Sequence, residues 1–240
     1  MTATTITAAV FEGIDDHSRP ALTFYDDATG ERTELSWATL GNWAAKTANL
    51  LVDEVLLEPG DPVIVDLPEH WQTAGILLGC WWAGARVHTR AEADQFGDAT
   101  VGFTDRDHVD AHPDVEDLIV APLDPFAMPV PGLPPGVSDY GTRVRIHGDQ
   151  FTGPAHAGDA LDGRTTSEVL DAAHAAAAGA GAGIRPGGRV LSTLEWASAT
   201  GIVDHFLAPL SVGAGLVWVA NPDGDQSARA ATERAEVVLT

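Results

Sequence analysis

The chain has 240 residues, 45% of them hydrophobic, and a formal net charge of −22 from 35 acidic and 13 basic residues. That length suits one domain, with two small lobes as the next option. The charge excludes nucleic acid and anionic membrane as expected partners, because phosphate contacts need clustered cations. Cys80 stands alone, which excludes an internal disulfide or a cysteine-based zinc site.

Residues 1–7 (Met-Thr-Ala-Thr-Thr-Ile-Thr) have neither a basic segment nor a long apolar one, so no signal peptide is expected there. No apolar run reaches the ~18 residues of a membrane span. A cytoplasmic, soluble chain is the expectation. Phe24-Tyr25, the Asp26–Gly30 turn and Glu31–Leu35 read as two strands around a turn. Ser36 suits a helix N-cap, and Leu40, Trp43, Ala44, Thr47, Leu50 and Leu51 recur at helical spacing to about Leu57. Pro59-Gly60-Asp61 is a turn into the apolar strand Pro62–Leu67. A helix over Glu69–Ala83 follows, with Cys80 on it as a small core residue, then a strand at Arg86–Thr89.

Further strands are expected at Ala99–Phe103, Leu118–Ala121 and Arg143–His147, with Ala127–Thr142 a proline-rich surface loop. Thr165–Ala178 reads as a helix capped by Thr166 or Ser167. After it come a strand at Arg189–Leu194, a helix at Ala197–Leu210, a strand at Leu216–Ala220, a helix at Gln226–Ala235 and a strand at Glu236–Leu239. This alternation predicts an α/β fold with mostly parallel sheet layers flanked by helices. The organisation expected is a single domain over 1–240. If it divides, the lobes are 1–142 and 143–240, joined after the 127–142 loop.

Several segments resemble, in order and spacing, the N-terminal part of the AMP-binding domain of acyl-CoA synthetases and other adenylate-forming enzymes. They are Leu35-Ser-Trp-Ala-Thr-Leu with Thr47-Ala-Asn-Leu-Leu, then Glu58-Pro-Gly-Asp-Pro-Val-Ile-Val-Asp-Leu-Pro-Glu69 and Gly79-Cys-Trp-Trp-Ala-Gly-Ala85. Arg185-Pro-Gly-Gly-Arg-Val-Leu-Ser-Thr-Leu194 and Ala208-Pro-Leu-Ser-Val-Gly-Ala214 complete the set. The resemblance is strongest to short, uncharacterised relatives of that family. It implies a truncated N-terminal domain with the family's C-terminal domain absent, and it implies ATP and Mg²⁺ as the family's cofactors.

The residues depart from that chemistry. Where the family carries a Ser/Thr/Gly-rich phosphate loop with a lysine, His147–Gly163 has no lysine, one hydroxyl (Thr152) and three aspartates, Asp149, Asp159 and Asp162. Leu161 falls near the expected lysine. Phosphoryl chemistry needs cations and donors facing the developing charge, and acidic residues oppose it. At the family's acyl-pocket motif the chain reads Leu194-Glu-Trp-Ala-Ser-Ala-Thr-Gly201, with Glu195 for proline and Ser198 for histidine. Lys46, the only lysine, reads as an exposed helix-face residue.

The expectation is therefore a non-catalytic remnant, a pseudoenzyme acting as a binding or protein-interaction module, with no bound cofactor and no catalytic residue. A homodimer or another protein partner is expected to cover an exposed sheet edge. The alternative is a nucleotide or acyl-ligand binder, or an adenylate-forming enzyme with an unusual loop, as half of a split enzyme in one version. Its pocket candidates are Thr152, Gly153, Gly158, Trp196, Ser198 and Gly201, with Trp196 also readable as core. His108 and His112, among Asp105, Asp107 and Asp114, are the weak candidates for metal ligation, against a solvated acidic loop. Ser198 with His205 lacks the orienting acid and Gly-x-Ser-x-Gly context of a hydrolase.

Overall fold

A computed structural model of the chain describes residues 5–89, 99–153, 156, 158–180 and 183–240. Two sheets form. The first runs β12 (Val237–Leu239), β10 (Arg189–Ser192), β11 (Gly215–Ala220), β1 (Pro20–Asp26), β2 (Glu31–Ser36), all parallel except the β1–β2 hairpin. The second runs β7 (Val137–Asp139), β6 (Asp117–Val120), β5 (Val101–Thr104), β3 (Pro62–Asp66), β4 (Arg86–Thr89), β8 (Asp159–Leu161), β9 (Arg164–Thr165). It is parallel except for the β8–β9 hairpin. The first sheet thus combines strands from both ends of the sequence, and the second is built from its middle.

Two helices join the sheets. Helix α2 (Trp37–Asn49) begins at Ser36, whose side chain accepts from Thr39 N. It packs on β1 and β2, while α3 (Trp71–Ala83) packs on α2 and touches both β1 and β4. Every residue of α3 except Trp82 is buried, which is why its sequence is apolar all round. The two helices approach closely at Gly79: a Cβ there would lie 2.4 Å from Thr47 Cβ and 2.9 Å from Ala44 O. One continuous core runs from Leu22 and Trp218 of the first sheet through Leu40 and Leu77 to Val63 and Phe103 of the second. Cys80 is sealed in it, and burial pushes its thiol up, away from nucleophilic use. Among the described residues no helix is long and apolar enough to cross a membrane.

Short helix α1 (Ile6–Phe11) leads in to β1, and α5 (Thr166–Gly179) follows β9. Thr165, one residue earlier than expected, caps α5 in a reciprocal box with Glu168. A helical stretch then runs through α6 (Ala199–Gly201), a π turn (Ile202–Leu207) and α7 (Ala208–Ser211), and α8 (Ser227–Glu233) precedes β12.

Three sequence expectations need correction. Arg143–His147 is not a strand: Asp139 accepts from Thr142 N and starts α4 (Tyr140–Val144), anchored by the buried Tyr140 ring. The loop expected at Ala127–Thr142 contains edge strand β7. Residues 147–163 are not one open loop either. Asp159–Leu161 is β8, and the Asp162-Gly163 turn, with φ of 44° and 76°, closes the β8–β9 hairpin. Two central residues at positive φ are the type I′ geometry for which Asp-Gly is suited.

Candidate ligand cleft

In parallel sheets, ligands bind outside the carboxyl ends of the strands. Here those ends face a common hollow. The turn after β3 (Leu67–His70) forms its floor. Asp26 at the end of β1, Thr193 and Glu195 after β10, and Trp218–Asn221 at the end of β11 wall a cleft of about 480 Å³. A second hollow of about 300 Å³ shares Pro68, Glu69 and Glu195 and reaches Asp66, Asp105 and His108. A third, about 690 Å³, shares Pro68 and Leu123 and extends under the Met128–Pro131 loop.

The walls of the first cleft are aromatic. Phe24 and Trp218 stack with centroids 5.8 Å apart, and the His70 ring meets Phe24 edge-on at 4.6 Å. Trp218 is fixed by its indole N–H donating to Leu194 O at 3.0 Å. His70 caps α3: its Nδ1 accepts from Gln72 N at 3.2 Å, so a neutral ring carries its proton on Nε2, which lies 3.6 Å from Glu31 Oε1.

The polar groups of the cleft are acidic. Glu69 Oε1 accepts from Trp196 N (2.7 Å) and Ala197 N (3.0 Å), fastening the segment after β10 to the turn after β3. Asp26 accepts from Ala28 N, Thr29 Oγ1 and Asn221 Nδ2. Burial works against its charge, but the bonds from Asn221, Ala28 and Thr29 hold its carboxyl below the usual range. Glu195 is exposed and makes no side-chain hydrogen bond among the described residues. Charges at ~4 Å interact by roughly 4 kcal/mol at an effective dielectric of 20. One carboxylate that near a bound phosphate would offset much of its binding.

The six pocket candidates fall into two groups that the fold keeps apart. Gly60 and Gly84 precede β3 and β4, so the ring of His156, 3.5 Å from a Cβ built on Gly60, lies at the amino ends of these strands. Gly158 follows it, and its carbonyl accepts from Thr166 N. Thr152 and Gly153 are exposed, next to Phe151, whose ring meets Trp82. This group is at the opposite end of the second sheet from the cleft. Residues 154, 155 and 157 lie outside the described residues. Trp196, Ser198 and Gly201 are at the carboxyl end. Trp196 is only 1% exposed and stacks on Phe206 at 4.7 Å, so it backs the cleft wall from the core side. Ser198 caps α6 by accepting from Gly201 N, and a Cβ on Gly201 would lie 2.6 Å from Glu195 O.

Nor does the acidic segment point at one place. Asp149 is exposed and pairs with Lys46 at 3.0 Å, and Lys46 also donates to His147 O. Lys46 is thus half-buried under residues 147–149, not free on a helix face. Asp162 turns inward, accepting from Thr89 N (3.0 Å) and Thr89 Oγ1 (2.8 Å) at the end of β4. Asp159 is exposed. His108 pairs through Nδ1 with Asp105 at 2.8 Å, and His112 through Nε2 with Asp66 at 2.8 Å. Each imidazole has its own carboxylate. Among the described residues no group of three His, Cys, Asp or Glu is placed to hold a metal ion.

Phe24, Asp26, Glu69, His70 and Trp218 were not singled out by the sequence. The usable signal was position: Asp26, Glu69 and His70 follow expected strands, and Phe24 and Trp218 lie on them.

No family model matches the sequence. A "TIGR03089 family protein" of Mycobacterium tuberculosis is 44% identical over 246 residues, covering 99% of this chain and 99% of that protein. Among solved structures, an acyl-CoA synthetase of Brucella canis superposes with a TM-score of 0.77 at 19% identity, over 99% of this chain and 47% of that one. The anthranilate CoA ligase AuaEII, solved with anthranoyl-AMP, gives 0.73 at 14%, over 96% and 47%. The chain spans about half the length of these solved structures. Its fold is that of the N-terminal half of acyl-CoA synthetases, and by its identity to the mycobacterial protein the chain belongs to the TIGR03089 family.

Proposed function

We propose that this chain is a non-catalytic binding module on the scaffold of an adenylate-forming domain, working in the cytoplasm. One observation carries the reading: the ligand cleft is lined by Asp26, Glu69 and Glu195, with no lysine or arginine among the described residues of its walls. The lone lysine is engaged by His147 and Asp149, and Asp162 is used in closing the end of β4. Adenylation needs cations where charge develops on phosphate, and these carboxylates oppose it. The test is ATP–pyrophosphate exchange with a panel of carboxylic acids, alongside calorimetry with ATP–Mg²⁺, AMP and CoA. No exchange and no heat are expected; turnover would overturn the reading.

A second reading is a nucleotide or acyl-ligand binder, alone or as half of a split enzyme. It is favoured by the cleft's place at the strand ends and by the likeness to a ligase solved with an acyl-adenylate. Micromolar binding of AMP or an acyl-AMP analogue would promote it. As for partners, among the described residues β12 pairs with β10 on one side only, and Val238 on it is half exposed. An open edge of this kind invites strand pairing, so a homodimer or a protein partner is proposed there. A clean monomer in light scattering at micromolar concentration would count against it.

A further inference from the structure

We infer that the cleft between the two sheets takes a small organic cation with an apolar body, an aryl- or alkylammonium, in preference to a phosphate or a carboxylate. The inference rests on the reading of the cleft as a binding site and names the class of ligand.

Three independent features converge. The cleft is a preformed hollow of about 480 Å³, room enough for a small molecule. Its walls include Phe24 and Trp218, both nearly buried and stacked on each other, and Leu123. The rings give the cleft an apolar surface on which the body of a ligand can rest. Its charge comes from three separate elements: Asp26 from β1, Glu69 from the turn after β3, Glu195 from the segment after β10. Among the described residues on the walls His70 is the one basic group, and its Nδ1 is committed to Gln72 N. Of the two adjoining hollows, one adds Asp66 and Asp105, already paired with His112 and His108, and the other adds Asp107 and Asp124 beside Arg106.

These carboxylates are unequally used. Asp26 is held ionised by three hydrogen bonds from its own turn and from Asn221. Glu69 spends Oε1 on two backbone N–H groups, and Oε2 takes no partner among the described residues. Glu195 spends neither oxygen. An ammonium group placed between Glu69 and Glu195 would gain both carboxylates while its apolar body lies on Trp218. An anion there would meet the same charges with opposite sign.

The test uses the whole chain and two matched probes, phenethylamine and 3-phenylpropanoate, which share a ring and chain length and differ in charge. Both are titrated by calorimetry and by tryptophan fluorescence at low salt. Saturable binding of the amine is expected, at least about tenfold tighter than the carboxylate and weakened when salt shortens the screening length. E195Q should raise the amine's Kd by about tenfold, with D171N on the remote helix α5 as the unchanged control. Equal or tighter binding of the carboxylate, no saturation by the amine below about 10 mM, or an E195Q Kd equal to that of the parent chain would each overturn the inference. Pyrophosphate exchange is run on the same preparation. Turnover there would overturn the non-catalytic reading, whereas an inert chain that ignores the amine overturns only the cation.

Discussion

The two ends of the strands in the second sheet are finished differently. At the amino ends of β3 and β4 the polar groups are closed on one another. Gly60 N donates to Gly84 O, Arg86 Nε donates to Gly60 O, and Asp61 Oδ2 accepts from Glu58 N. Arg86 N completes the turn by donating to Asp61 O. At the carboxyl ends the chain leaves hollows rimmed by carboxylates, of which Glu69 and Glu195 keep oxygens without a partner among the described residues. Closed ends set stability, and open ends leave chemistry available. A turn such as Pro59-Gly60-Asp61 therefore persists for the sheet's sake whatever the protein does. On the proposed reading, what the protein binds is written at the other end.

The contrast can be attacked in order of expected effect. If the open end were slack throughout, Trp196→Ala would cost little. Its ring is sealed against Phe206 and Trp218, so a loss of about 4 kcal/mol is expected in urea unfolding. Gly84→Ala probes the closed end. Gly84 sits at φ +86°, and a Cβ would come within 3.0 Å of His156 Cβ and 3.2 Å of Pro59 Cβ. Strain and overpacking together should cost about 3 kcal/mol, read as a fall in the denaturation midpoint.

Glu233→Gln tests a third place, where α8 is fastened to the first sheet. Glu233 is 5% exposed and receives Tyr25 OH, Arg32 and Arg189. Its arginine partners can rehydrate, so the loss should be about 2 kcal/mol, short of a fully buried pair. Burial raises the pKa of Glu233, but Tyr25, Arg32 and Arg189 outweigh it and hold the carboxyl below the usual range. Hydrogen bonding by Arg229 does the same for Asp27. A depressed folded pKa gives stability that is full above the unfolded value, near 4.3–3.9, and lost as pH falls through the folded one. The parent chain should lose stability below pH ~4, and the Gln variant should lose less over that range. The smallest effect belongs to Glu195→Gln. With no partner to lose, it should leave stability within about 0.5 kcal/mol while changing what the cleft accepts.

The sequence made the sheets legible where burial imposes a simple pattern. Pro62–Leu67 was readable because a strand buried on both faces must be short, apolar and bounded by turns, and Arg86–Thr89 because it follows the helix end at Gly84-Ala85. Arg143-Val-Arg-Ile-His147 misled because its alternation imitates a strand. The deciding contacts are remote: Tyr140 reaches the Thr47 hydroxyl, and Arg143 pairs with Glu54 and Asp117. The β8–β9 hairpin had a local signal in Asp162-Gly163, obscured by reading the segment as a phosphate loop. The cleft was least legible. Its walls come from residues 24 and 26, 68–70, 123, 193 and 195, and 218–222, which only the sheet order brings together. Nothing local marks Glu69 as the residue that ties one sheet to the other.

Strand β12 has a practical bearing on all of these measurements. Thr193, on the cleft wall, donates its N–H to Leu239 O at 3.0 Å. A purification tag or fluorescent fusion joined at Thr240 would emerge beside the mouth of the cleft and could itself occupy it, particularly a polyhistidine or lysine-rich linker drawn to the carboxylates. Titrations and light scattering should use protein tagged at the other end or with the tag removed.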